Sequence, residues 1–132
     1  MSLEIHVADA ATPLAQLSSP SLSLENDGYY WALYPYFSHL SSLTGQGVDL
    51  YSDAVFDASI LPTFRSALAK ARLAYAGGPP TFAVPISMQL KPVRREVTET
   101  ISRKTLLDLI QSLDALAQNA ETLQRHLVFI GD

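Results

Sequence analysis

Apolar residues recur in this chain at two different spacings, and no fold built on one period accommodates both. Leu3, Ile5 and Val7 alternate with Glu4, His6 and Ala8, and Phe82, Val84, Ile86, Met88 and Leu90 alternate over a longer stretch. Period two puts one set of side chains on one face of a strand. Leu61, Phe64, Leu68, Ala71 and Tyr75 instead recur at three and four, as do Leu106, Ile110, Leu113 and Ala117. That spacing draws a single buried stripe along a helix. The mixture predicts an α+β fold: a mixed, mainly antiparallel sheet of roughly four to six strands with about three packed helices.

Local signals set the expected boundaries. Residues 10 to 21, rich in Ala, Ser, Thr and Pro, read as a surface loop before a short strand at Leu22 and Leu24. Asn26 or Asp27 offers an N-cap oxygen to a helix running toward Leu43, and Gly45 or Gly47 can end it in a left-handed conformation. Pro35 inside that helix predicts a kink, or a short first segment and a restart. Val48, Leu50, Ala54 and Phe56 suggest an extended stretch containing a bend, with Asp49, Tyr51 and Asp53 toward the other side. Ser59 is expected to cap the second helix, with Asp57 assisting and Pro62 in the first turn; Gly77-Gly78-Pro79-Pro80 stops it. Pro85 marks an edge position or a bulge, and Lys91-Pro92 turns the chain into a strand over Val93 to Ile101. Ser102 caps the third helix, whose stripe Leu109 and Leu116 widen. The unbroken apolar run Leu127-Val128-Phe129-Ile130 suits a central strand covered on both faces.

A length of 132 residues, 48% of them hydrophobic and 17% charged, suits one α+β domain over 1–132 and departs from the composition of disordered chains. With a net charge of −4, direct nucleic-acid binding is not expected, because phosphate contacts need clustered Lys and Arg. No cysteine is present, so disulfides, thiolate ligands and a cysteine nucleophile are excluded. The chain offers neither a basic-then-apolar leader nor an apolar run of membrane-spanning length, which points to a cytoplasmic protein. His6, His39 and His126 lack any metal-binding spacing, Gly45-Gln46-Gly47 is not followed by the Lys-Ser/Thr of a phosphate loop, and no serine sits in a GxSxG elbow. No catalytic residue, metal or cofactor is therefore assigned.

Charge, by contrast, is strongly polarised. The first 64 residues hold Glu4, Asp9, Glu25, Asp27, Asp49, Asp53 and Asp57 but no Lys or Arg; all 9 basic residues follow. Within this acidic half, Tyr29-Tyr30-Trp31-Ala32-Leu33-Tyr34-Pro35-Tyr36-Phe37 holds half of the aromatic side chains. Tyr30, Leu33, Tyr34 and Phe37 have helical spacing and belong mostly to the core; Trp31 and Tyr29 fall off that stripe and are candidates for exposed anchors. Asp27, Trp31, Asp49, Tyr51 and Asp53 are the candidate partner-binding residues, since aromatic rings supply desolvated contact area while carboxylates steer a basic partner. A pair of carboxylates, Glu25 with Asp27 or Asp49 with Asp53, could also divide acid and base roles, although anions at a helix N-terminus have a structural use of their own.

The stretches Leu24-Glu25-Asn26-Asp27-Gly28-Tyr29-Tyr30-Trp31, Leu33-Tyr34-Pro35 and Thr44-Gly45-Gln46-Gly47-Val48-Asp49-Leu50-Tyr51-Ser52-Asp53-Ala54, with the ending Val128-Phe129-Ile130-Gly131-Asp132, resemble uncharacterised small bacterial proteins. In size, acidity and lack of a catalytic signature the chain is also similar to immunity proteins that neutralise polymorphic bacterial toxins. That likeness implies an inhibitor that occludes a basic toxin domain, without a membrane or nucleic-acid partner and with self-association left open. The alternative is a small enzyme or ligand-binding domain whose Tyr- and Asp-lined pocket lies between the first helix and the strand after it.

Overall fold

In the computed structural model, which describes residues 3–9, 20–25, 27–89 and 95–131, the chain runs β1 (Leu3–Ala8), β2 (Leu22–Leu24), α1 (Asp27–Thr44), β3 (Asp53–Phe56), α2 (Leu61–Ala76), β4 (Thr81–Gln89), β5 (Arg95–Ser102), α3 (Arg103–Thr122) and β6 (His126–Gly131). The fold is α+β, and all the strand pairings among the described residues are antiparallel. The strands divide into a four-stranded sheet, ordered β2-β1-β6-β3, and a separate β4-β5 hairpin. Leu127, Val128 and Phe129 are all buried, so β6 takes an interior place between β1 and β3, with Ile5 opposite Phe129 and Ala54 opposite Phe129 on the other side. Residues 10–19 of the loop expected over 10–21, a cap from Asn26, the Met88 and Leu90 side chains and the Lys91-Pro92 turn lie outside the described residues.

Helix α1 ends where Gly45 adopts φ +79° and its N–H donates to the Ser41 carbonyl at 2.9 Å. A side chain is disfavoured in that left-handed conformation, which glycine adopts freely. Of the two outcomes expected at Pro35, a kink or a restart, the restart does not occur; the helix is unbroken from Asp27 to Thr44. Pro35 has no N–H for the Trp31 carbonyl, but its ring sits on the exposed side, and the adjacent Ala32 carbonyl accepts from the Tyr75 hydroxyl at 2.6 Å. A tertiary hydrogen bond thus supports the backbone beside the gap.

Helix α2 corrects a second expectation. Its N-cap is Ile60, without a side-chain cap, and Pro62 occupies the first turn. Ser59 instead donates its N–H to Asp57 Oδ1 at 2.9 Å, and the Asp57 carbonyl accepts from Ile60 and Leu61, both at 3.1 Å. Asp57 organises the turn that precedes the helix. Its carboxyl is held below the usual range, above all by the Ser59 hydroxyl. For α3 the capping expectation holds, with Thr105 N–H donating to Ser102 Oγ at 3.4 Å.

One apolar cluster draws on every element. Phe56, Phe64 and Phe129 meet at its centre with ring centroids 4.9 to 5.7 Å apart, joining β3, α2 and β6. Leu106, Ile110 and Leu113 are buried where α3 packs on α2 and on β1 and β6. Strand β4 leans chiefly on α1, with Val84 buried and Phe82 stacked on Tyr75 at 5.4 Å. The register step between Pro85 and Ser87 is the expected bulge.

Candidate functional site: the cleft between helix α1 and the 45–52 loop

Alternation of Val48 and Leu50 with polar residues imitates a strand, but both sit in a loop and β3 begins only at Asp53. They are buried, as the alternation requires; turn geometry rather than sheet pairing puts them there. Thr44 Oγ1 donates to the Leu40 carbonyl at 2.9 Å and accepts from Gln46 N–H at 3.1 Å. Gln46 Oε1 accepts from Val55 N–H at 3.1 Å, satisfying a donor on edge strand β3. The Tyr30 hydroxyl donates to the Val48 carbonyl at 2.9 Å, Asp49 Oδ1 accepts from Tyr51 N–H at 2.8 Å, and Gly131 N–H donates to the Ser52 carbonyl at 3.1 Å. Gly131 also permits the contact: a Cβ there would lie 2.5 to 2.8 Å from backbone atoms of Ser52 and Asp49. The loop is thereby tied at both ends and in the middle.

Opposite it, α1 presents Tyr30, Trp31 and Tyr34. Trp31 packs edge-on to Tyr30 at 5.0 Å and tilted against Tyr34 at 5.1 Å. Between this wall and the loop lies a cleft of about 270 Å³ lined by Tyr30, Trp31, Tyr34, Asp49, Leu50 and Tyr51. Tyr30 forms the floor at 3% exposure, whereas Tyr34 and Tyr51 are 43% and 66% exposed. Burial, then the nearby charge of Asp49 and the Tyr34 phenol, push the Tyr30 phenol up to about 12. A second depression of about 380 Å³ continues from it, sharing Tyr30, Tyr34 and Asp49 and bordered by Ser38, Ser41, Ser42 and Ser52.

Of the five residues singled out in the sequence, Trp31, Asp49 and Tyr51 line the cleft. Asp27 stands in the first turn of α1, four residues before Trp31, and Asp53 opens β3 opposite Ile130, alternating with buried Ala54; neither lines the cleft. None of Asp27, Asp49 and Asp53 forms an ion pair among the described residues. Tyr30 and Tyr34 carried a core assignment, and their spacing of four is the signal that sets them on the same helix face as each other. Tyr29 is not a free anchor, because its hydroxyl oxygen accepts from Ser102 N–H at 3.3 Å.

Another cleft, about 340 Å³, lies between α2 and α3 and includes Arg65, Arg72, Ile110 and Asp114. There Arg65 Nε donates to Asp114 Oδ1 at 2.8 Å and a second nitrogen to Oδ2 at 3.4 Å, while Glu121 approaches at 3.5 Å. Its principal charge is already matched. Among the described residues no group of three or more His, Asp or Glu is arranged to hold a metal ion, and no helix is long and apolar enough to cross a membrane. Comparison with family models, curated proteins and solved structures finds no match.

Proposed function

We propose that this chain is a protein-binding inhibitor, an immunity protein of a bacterial toxin that acts in the cytoplasm by occluding a basic active or substrate-binding surface. The observation that carries this reading is the α1–loop cleft, where partly exposed Trp31, Tyr34 and Tyr51 surround Asp49, a carboxylate that forms no ion pair among the described residues. Large rigid rings are enriched at interface centres, and a carboxylate beside them that is not used in a fold-stabilising ion pair can pair with a basic partner. The loop is preorganised by its own hydrogen bonds, which lowers the ordering cost of binding. Asp27 and Asp53 would extend the acidic field around the contact and speed encounter.

Co-expression with the product of an adjacent toxin-like reading frame tests this directly. The parent should copurify with that product and restore growth, and a folded Asp49→Lys/Asp53→Lys double mutant should associate more slowly, with a weaker salt dependence. Undiminished protection by the double mutant would remove this surface from the mechanism. A second reading, a small ligand-binding domain or enzyme, is favoured by one specific feature, the Tyr30, Tyr34, Tyr51 and Asp49 lining of the same cleft. Loss of small-molecule turnover in the double mutant would make that reading the better one.

A further inference from the structure

We propose that the cleft between α1 and the 45–52 loop is a receptor for a single cationic group, the guanidinium of an arginine side chain presented by a polypeptide. The assignment deepens the inhibitor reading and rests on it for the source of the arginine. The lining contains four aromatic rings, Tyr30, Trp31, Tyr34 and Tyr51, with Leu50, one carboxylate, Asp49, and no basic residue among the described residues. Ring faces carry the negative part of the aromatic quadrupole and attract a cation within reach of the centroid. An anion would meet Asp49 with repulsion, and a purely apolar group would leave the carboxylate unpaired against it.

Asp49 is held in position for this role. Its Oδ1 is occupied by Tyr51 N–H, and Oδ2 has no hydrogen bond among the described residues, so one oxygen orients the side chain and the other remains to accept. The floor cannot shift easily, because Tyr30 is anchored on the Val48 carbonyl. Guanidinium fits better than ammonium: it is flat, weakly hydrated, stacks on rings and still presents donors at its edge to a carboxylate. A side chain delivered by a polypeptide also needs room for the main chain that carries it. The adjoining depression edged by Ser38, Ser41, Ser42 and Ser52 supplies uncharged hydroxyls in that place; a free amine would have no use for it.

Trp31 is the chain's only tryptophan, so its fluorescence reports on the cleft. The full chain is titrated at constant ionic strength with N-acetylarginine methylamide, with its neutral isostere N-acetylcitrulline methylamide and with tetramethylammonium. A saturable change with the arginine amide, at a dissociation constant on the order of millimolar, and none with the citrulline amide is the expected result. Asp49→Asn should weaken binding about tenfold while retaining the turn, since an amide oxygen can still accept from Tyr51 N–H. Asp108→Asn, which removes the same charge from the exposed side of α3, should leave the titration unchanged.

Equal responses to the arginine and citrulline amides, or an Asp49→Asn titration identical to the parent's, would overturn the assignment. Tighter binding of tetramethylammonium would overturn the arginine and polypeptide source in favour of a free quaternary amine. Because no partner is needed, the two readings fail separately. Intact toxin protection with no arginine selectivity removes the receptor alone, whereas selective arginine binding by a chain that protects against no toxin removes the inhibitor alone.

Discussion

Two helix-walled clefts of this molecule, one between α2 and α3 and one beside α1, use charge in opposite ways. Between α2 and α3, Arg65 reaches Asp114 through two nitrogens and approaches Glu121, so the charges are matched within the chain and join two helices distant in sequence. Beside α1, Asp49 has no cation among the described residues and its neighbours in the cleft are mostly aromatic. Both are half-open and of similar size, about 340 and 270 Å³, so volume does not tell them apart. What separates them is whether the polar groups are already satisfied. A matched charge contributes to folding; an unmatched one on a rigid support remains for a ligand.

The sharpest break between the two regions comes from removing core volume under the matched cleft. Ile110 is 2% exposed and lies where α3 packs on α2. Ile110→Ala should lower stability by about 2 to 5 kcal/mol in urea denaturation, through lost burial and an incompletely collapsed cavity. At low denaturant the fluorescence of Trp31 should stay native-like, because its supports lie on α1 and the loop. Unchanged stability would mean that α3 is not packed as described.

The stripes that make Ile110 a core residue are readable from spacing alone, as are the Gly45 stop, the Ser102 cap and the Pro85 bulge, since each depends on residues within a few positions. Apolar period also correctly separates strands from helices. It cannot report how strands are shared between sheets, so the pairing of β4 with β5 is legible in the sequence while their separation from the four-stranded sheet and their seat on α1 are not. Val48 and Leu50 show a subtler failure: alternation marks them as buried, but a turn fixed by Asp49, Tyr30 and Gly131 buries residues as effectively as a strand. The Arg65 clamp spans 49 and 56 positions, beyond any local pattern. For the cleft, the acidic and aromatic composition was legible, and Trp31, Asp49 and Tyr51 do meet. That Tyr30 and Tyr34 complete it, while Asp27 and Asp53 stand apart, follows only from how the loop folds back on α1.

An intermediate effect is expected where the loop is pinned to α1. Tyr30→Phe removes the donor from the Val48 carbonyl and should cost about 1 to 3 kcal/mol, the usual range for an orphaned buried acceptor. The pH dependence identifies the cause. The Tyr30 phenol is pushed up to about 12 in the folded chain from its ordinary value of 10.0, so the native state holds the proton more tightly than the unfolded chain. Parent stability is therefore complete below about pH 10 and falls as pH rises from 10 toward 12. Tyr75, also raised by burial, contributes in the same direction, so Tyr30→Phe should flatten the decline without abolishing it. An identical alkaline slope in parent and variant would show that Tyr30 does not carry the coupling between α1 and the loop.

The smallest effect should come from the matched pair itself. Arg65 and Asp114 retain 33% and 38% side-chain exposure, so water screens them and competes for their hydrogen bonds. A double-mutant cycle with Arg65→Met and Asp114→Asn should give a coupling of about 0.2 to 1 kcal/mol, decreasing as salt is raised. Methionine keeps much of the aliphatic packing, so the cycle isolates the charge. Neither substitution should alter the arginine-amide titration at Trp31, because the charges it removes belong to the other cleft. A coupling well above that range would mean the clamp is less hydrated than its exposure indicates, whereas a change at Trp31 would show that the two clefts are energetically joined and that the matched charges serve binding as well as folding.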